Sequence, residues 1–395
     1  MPAEMPGKWR SLGLLMVAEI AGMSLWFMSA AILPDLTREF PISDFAQAAL
    51  SSAVQIGFVV GAVTSALLGL ADRIDPRRFF AFSAILAAVF NASLLVVEPG
   101  GFLSILARFA TGVLLAGVYP VGMKIAGGWG RDDRGFLVGT LVGALTFGSA
   151  APHLLALMGG TDWRWSLSVA SFAAAAGGVL CLFAGLGPFH ARAPRMKIGA
   201  ILTAWTNPKI RYAYAGYLGH MWELYAMWAW IGVALAASFA GRMATEEAIT
   251  LSRLIAFLAI AVGGAASIIA GIVADRVGKA NIAILAMAVS GSAAIASALT
   301  FGGPVWLTVC CVLVWGAAIL PDSAQFSALV ADYAPPDQAG SLMSFQTALG
   351  FALTFFTVQL TPLGAELIGW PGMFALMAIG PVLGILGMLQ LKRLV

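Results

Sequence analysis

Three carboxylates and an imidazole stand where an apolar chain has least use for them. Glu19, Glu223 and Asp322 each lie deep inside a long apolar stretch, and His220 precedes Glu223 by about one helical turn. A carboxylate charge near the middle of a bilayer costs at least ~2.5–3.5 kcal/mol on insertion scales, so such a residue must face a wet interior, pair, or carry a proton. At i and i+3, His220 and Glu223 share a helical face. An imidazole titrates near neutral pH, so beside a carboxylate it is suited to passing protons. Glu19, Glu223 and His220 are therefore read as proton-coupling residues. Asp322 and Gln325 read as the polar part of a solute site, with Gln55 beside them and Trp26, Trp222 and Tyr225 offering ring faces for stacking or cation–π contacts. The plainer readings are a hydrogen bond to a neighbouring helix for Glu19 or Asp322, interhelix packing for the tryptophans, and a satisfied core histidine for the lone His153.

The rest of the composition says what positions these groups. The chain has 395 residues, of which 60% are hydrophobic and only 10% charged, and its mean hydropathy is +0.91. Soluble domains carry about 25% charged residues, so the surface of this chain must face lipid and an ordinary soluble enzyme is excluded. The formal charge is +3, and the basic residues fall between apolar segments instead of forming a patch, so no nucleic-acid partner is implied. Cys181, Cys310 and Cys311 have no framework spacing and read as small buried hydrophobes. No H-E-x-x-H pattern supports an intramembrane metal hydrolase, and no nucleotide-binding loop supports an ATP-driven pump. Neither enzyme activity nor a cofactor is expected.

A hydrocarbon core about 30 Å thick needs about 20 apolar residues of helix. Runs of that length recur at 11–33, 47–70, 79–97, 102–127, 136–158, 165–186, 212–239, 249–273, 280–300, 305–331, 341–363 and 372–391. The first is too long for a signal peptide and is kept as a span. These twelve predicted helices form two sets of six, over 1–187 and 211–395, joined by a polar linker at 188–210 with a short interfacial helix around 196–205. Of the 22 basic residues, 17 fall on the side of the termini. The positive-inside rule then places both termini in the cytoplasm of a cell bounded by an inner membrane. The halves also repeat: Glu19-x-x-x-Met23-x-x-Trp26 returns as Glu223-x-x-x-Met227-x-x-Trp230 at a shift of 204, and Pro120 meets Pro321 at 201. Parallel six-helix repeats are a transporter plan, with the substrate site between the repeats. Gly57/Gly61, Gly139/Gly143 and Gly380/Gly384 are spaced for close helix packing.

Two loops carry a further pattern. Gly271-Ile-Val-Ala-Asp275-Arg276-Val-Gly278-Lys279 follows the eighth span, and Gly69-Leu-Ala-Asp72-Arg73-Ile-Asp75-Pro76-Arg77 follows the second. Together with the twelve spans, they make the whole chain resemble the major facilitator superfamily (MFS), whose G-x-x-x-D-R-x-G-[RK] signature lies in these loops. The resemblance implies an all-α MFS fold that is monomeric in lipid. It also implies alternating access, with Asp72, Arg73, Arg77, Asp275, Arg276 and Lys279 gating the cytoplasmic side. Arg108-Phe-Ala-Thr-Gly112 resembles the family's fourth-helix motif, which adds Arg108 to the proton-coupling residues. The expected function is proton-coupled antiport that exports a small solute. Two alternatives remain open: export of a divalent metal ion held by His220 and the embedded carboxylates, and proton symport of a small organic anion.

Overall fold

The computed structural model describes residues 6–130, 134–190, 199–335 and 338–395. The basic residues of the linker, Arg192, Arg195 and Lys197, therefore lie outside the described residues, as does Arg131, and so do the side chains of Asp72 and Asp275. Among the described residues all regular structure is helical. The first half comprises α1 (Lys8–Met23), α2 (Met28–Glu39), α3 (Asp44–Leu68), α4 (Leu70–Arg73), α5 (Pro76–Ser93), α6 (Phe102–Leu115), α7 (Tyr119–Gly127), α8 (Arg134–Gly159) and α9 (Trp163–Cys181). A short α10 (Ala200–Thr206) occupies the linker, beginning later than the expected 196. The second half comprises α11 (Pro208–Phe239), α12 (Thr245–Val277), α13 (Lys279–Thr300), α14 (Val305–Ala318), α15 (Ser323–Tyr333), α16 (Ala339–Met377) and α17 (Ile379–Arg393).

The seventeen helices among the described residues are reconciled with twelve spans by setting aside the short α4 and α10, by four breaks within spans, the last at Ala378 between α16 and α17, and by one reversal within α16. The pairs α1/α2, α6/α7 and α14/α15 are each one expected span interrupted near its middle. Pro120 and Pro321 explain two of the breaks, since each removes an N–H and crowds the carbonyl four residues back. The first break has no proline. It tightens into three-residue turns, with Leu25 N–H on the Gly22 carbonyl at 3.3 Å and Trp26 N–H on that of Met23 at 3.0 Å. Its repeat counterpart, α11, runs unbroken for 32 residues.

The reversal lies at Gly369, whose φ of 72° and ψ of 164° only glycine adopts readily. A continuous 55-residue helix from Ala339 to Arg393 would be about 80 Å long. Instead a Cβ placed on Gly364 would lie 2.2 Å from the Met373 sulfur, so the chain has turned back beside itself.

Small residues set how closely the spans approach. A Cβ on Gly57 would lie 2.1 Å from the Phe109 carbonyl oxygen, one on Gly61 2.2 Å from that of Val113, and one on Gly112 2.2 Å from that of Val54. Helices α3 and α6 are thus in backbone contact. Gly380 and Gly384 do the same for α17 against α11. The expectation fails at Gly139, which has nothing within 4 Å, and at Gly143, which meets only the Ile268 side chain at 3.7 Å. The spacing is right there, but no backbone of another helix lies within 4 Å of where a Cβ on either glycine would stand, although α12 approaches the same stretch of α8 through Gly264. Cys181 is buried as expected, whereas Cys310 is exposed and Cys311 half-buried, because they lie toward the outside of α14.

Candidate functional site

Glu19 and Glu223 hold equivalent places in the two repeats and have unlike surroundings. The Glu19 side chain is fully buried, and both its carboxyl oxygens lack a hydrogen-bond partner. It fits against α7 only because residue 122 is glycine: a Cβ there would fall 2.4 Å from Glu19 Oε2. Glu223 instead accepts from Trp315 Nε1 at 2.6 Å and from Ser290 Oγ at 3.0 Å. One carboxyl site is furnished with donors and the other is bare. An ionised carboxylate in the bare site would have no protein donor to offset its desolvation.

His220, expected beside Glu223, is turned to another partner. Its Nδ1 lies 2.8 Å from Asp322 Oδ1, close enough to pair when the imidazole is charged. Oδ1 is out of line with the ring N–H, however, and His220 Nε2 has no partner. Asp322 is brought there by the α14/α15 break, where it sits as the N-cap residue of α15 without capping it. Pro321 thus frees the backbone that presents Asp322 to α11, as in the interrupted helices of transporters. Gln325 lies one turn on and is buried. Tyr217 stacks over His220 at a centroid separation of 6.1 Å.

Trp26 and Tyr225 meet across the halves. Trp26, at the α1/α2 break, packs on Phe58 at 4.9 Å, Phe351 at 5.5 Å and Tyr225 at 5.8 Å between ring centroids. Tyr225 also reaches Phe27, Trp228 and Phe351. The indole N–H groups of Trp26 and Trp228 are buried without acceptors, and both amide atoms of Gln55 are likewise unpartnered. Gln55 sits between Ser52, which donates to Gln359 of α16 at 2.6 Å, and Phe58, which packs on Phe351 of α16 at 4.6 Å. At i, i+3 and i+6 these three share the face of α3 that meets the other half. Trp222 does not join the cluster: its Nε1 donates to the Leu376 carbonyl at 3.1 Å and its ring lies against Gly380. His153, on α8, lies beside Gly232 of α11 across the halves.

Arg108 is fully buried. Its Nη2 donates to the Leu25 and Trp26 carbonyls at 3.0 and 2.7 Å, its Nε to that of Leu50 at 3.1 Å, and its Nη1 to Asn91 Oδ1 at 2.8 Å. It satisfies carbonyls that the α1/α2 break leaves without helical partners, and thereby fixes the segment that carries Trp26.

At the face away from the termini the halves are latched. Arg253 of α12 donates through Nη2 to Asp35 and through Nη1 to the Ala156 and Gly160 carbonyls, at 3.2 and 2.6 Å. Arg38 pairs with Glu246 at 3.0 Å. Asp35 was missed in the sequence because it lies just past the first apolar run, at what reads as a helix end. It is nevertheless 4% exposed, buried by the other half. At the face of the termini, Arg77 pairs with Asp75 at 2.7 Å, Lys279 with Asp332 at 2.5 Å, and Lys124 donates to the Ala71 carbonyl. The Asp75 carboxyl also caps α5 and is held below the usual carboxylate range, first by the hydrogen bond from Arg77. Arg73 and Arg276 are exposed.

The fold and this arrangement can be set against known proteins. No curated protein matches the sequence. Among solved structures, a bacterial homologue of the human lysosomal transporter Spinster, inward-facing and occupied, aligns with a TM-score of 0.78 at 11% identity over 99% of this chain and 98% of that one. A D-xylose–proton symporter aligns with a TM-score of 0.74 at 14% identity over 96% and 97%. A mutant of the nucleoside transporter NupG gives 0.72 at 14% identity over 96% and 99%. At such identities these show a common fold. The profile of the Major Facilitator Superfamily matches residues 14–357, and the chain is therefore a member of that superfamily, a multi-pass secondary transporter.

Proposed function

We propose that this transporter is proton-coupled and exports a small solute across the inner membrane, with both termini in the cytoplasm. The observation that carries the reading is Glu19, a fully buried carboxyl without a partner for either oxygen. The form that fits this pocket is the protonated one. When the halves part and water reaches it, the proton can leave, so proton binding becomes a condition for closing around Glu19. Glu223, with its two donors, accommodates the charge that Glu19 does not, and His220 with Asp322 provides a second titratable pair at the opposite half. The loops at Asp72–Arg77 and Asp275–Lys279 are assigned to gating the cytoplasmic side, which agrees with the closed latch being on the other face.

Export with antiport is tested in everted membrane vesicles acidified inside by respiration, with a pH-sensitive acridine dye. A transported solute should release the internal protons in wild-type vesicles and fail to do so with Glu19→Gln. Equal proton release by the two would defeat the proposal. The distance between His220 and Asp322 also keeps a metal-ion reading alive, since the pair could supply two ligands. Among the described residues no group of three or more metal-ligating side chains gathers there. Proton release by Mn²⁺ or Zn²⁺ that is abolished in His220→Ala would favour the metal.

A further inference from the structure

We infer that the solute is a flat, uncharged heteroaromatic molecule bearing carbonyl or ring-nitrogen acceptors, bound at the seam between the halves, where Trp26 and Trp228 both pack on Tyr225 and Phe27 and Gln55 lies one turn before Phe58. The inference rests on the transport reading and deepens it by naming a substrate class.

Three independent features of the seam point to this chemistry. First, its surface is made of π faces drawn from both halves, Trp26 and Phe58 from one and Tyr225 and Phe351 from the other, with centroids 4.6–5.8 Å apart. When the halves separate, these rings lose each other and present aromatic faces on which a planar solute can stack or pack edge to face. An aliphatic solute would recover less of that contact. Second, the seam holds hydrogen-bonding groups that the protein leaves unmatched. The Nε1 atoms of Trp26 and Trp228 are donors only, and the Gln55 amide supplies one donating and one accepting end, all buried and without partners. Buried polar groups are nearly always paired. Five other tryptophans donate their N–H, Trp129 to Gly185, Trp163 to Glu39, Trp222 to Leu376, Trp230 to Val358 and Trp315 to Glu223. The exceptions cluster at the seam, and their sense demands a ligand with several acceptors and at least one donor. Third, the nearest cation is already committed. Arg108 spends its Nε, Nη1 and Nη2 on Leu50, Asn91, Leu25 and Trp26, so no guanidinium is left to bind a carboxylate or phosphate.

The test uses the purified full-length protein in detergent at a single pH, with tryptophan fluorescence and thermal stability as readouts. Nicotinamide, uracil and quinolin-2-one are the heteroaromatic probes, and benzoate, D-xylose and tetraethylammonium are the comparators. At least one heteroaromatic should quench fluorescence and raise the melting temperature, with no comparator doing as well. Trp26→Phe and Trp228→Phe keep an aromatic ring but remove the N–H together with the five-membered part of the indole, so each should weaken that binding by roughly tenfold and also lower the unliganded melting temperature, because both side chains are buried. Gln55→Leu should act in the same direction. Silence from all three heteroaromatics overturns the inference, as does stronger binding of any comparator, or unchanged affinity in all three variants. Binding at fixed pH needs no proton gradient. A heteroaromatic that binds but drives no proton release would therefore refute the coupling alone, and a proton-coupled comparator would refute the substrate class alone.

Discussion

Glu19 and Glu223, one repeat apart in sequence, differ in a way that backbone symmetry does not require: Glu223 receives hydrogen bonds from Trp315 and Ser290, and Glu19 receives none. The two residues should therefore respond differently to loss of charge. Glu19→Gln replaces a carboxyl that this conformation holds without partners by a neutral amide of the same shape. It should keep solute binding and exchange but lose pH-driven accumulation, with stability near that of the wild type. Glu223→Gln keeps an acceptor for one donor and sets its NH₂ against the other, which should lower stability by about 1–3 kcal/mol besides any transport defect. Counterflow in proteoliposomes, with and without a pH gradient, and thermal unfolding separate the two effects. A Glu19→Gln protein that still accumulates solute in response to pH would make the carboxyl structural.

Much of this site was legible in the sequence because embedding charge in lipid is expensive, so the residues that pay it stand out. Glu19, Glu223, His220 and Asp322 were found that way, and the break that positions Asp322 follows from Pro321. What periodicity could not supply was direction. His220 and Glu223 share a face of α11, but the groups that meet them come from α13, α14 and the α14/α15 break, so they acquired separate partners. Trp222 and Tyr225 are three residues apart on α11 yet serve different contacts, one against α17 and one against Trp26. Asp35 escaped notice because its burial is made by Arg253, a residue 218 positions away.

The glycines offer a contrast within one sequence pattern. Gly57→Ala and Gly61→Ala would drive a methyl into backbone carbonyls at 2.1 and 2.2 Å, and carbonyls cannot swing aside as a side chain can. The α3 and α6 helices must then move apart, so each variant should unfold at a clearly lower temperature. Gly139→Ala meets open space and gains up to about 1 kcal/mol of helix propensity, so it should be neutral or slightly stabilising. Thermal unfolding of the three variants side by side decides whether spacing or contact governs the cost. A destabilised Gly139→Ala would show that α8 is more tightly packed than the structure has it.

Asp75 gives a pH dependence outside the membrane. Its carboxyl is held below the unperturbed value of 3.8, chiefly by the hydrogen bond from Arg77, so the folded state prefers the ionised form. For a depressed carboxylate the stabilisation is present in full above the unfolded pKa and is lost as pH falls through the folded one. Acidification from pH 5 to about 3 should therefore loosen the start of α5 in the wild type and have less effect in Asp75→Asn, which lacks the charge throughout. Hydrogen exchange of the Arg77 and Phe79 amides, which bond to the Asp75 side chain and carbonyl, reads this directly. Equal pH sensitivity in the two proteins would remove Asp75 from the account.

The latch between Asp35 and Arg253 makes the most direct prediction about conformation. Its partners sit on opposite halves, and the same guanidinium ties α8 through the Ala156 and Gly160 carbonyls, so opening the face away from the termini must break all three contacts at once. Removing one member of a buried pair leaves the other charge without its partner, at up to about 3–5 kcal/mol in the closed state, less for Asp35, which keeps Arg38 at 4.0 Å. The open state admits water to the survivor and does not bear that cost. Asp35→Asn and Arg253→Gln should therefore shift the population toward the open form rather than simply unfold the protein. Cysteine placed at Ser52, which bonds Gln359 across the closed seam, reports the shift: an impermeant maleimide added from outside should label it faster in either latch variant than in the wild-type background. The double variant Asp35→Asn/Arg253→Gln leaves no buried charge, so its labelling should lie closer to wild type than that of either single change. If both single variants label at the wild-type rate while remaining folded, the pair does not hold the halves together.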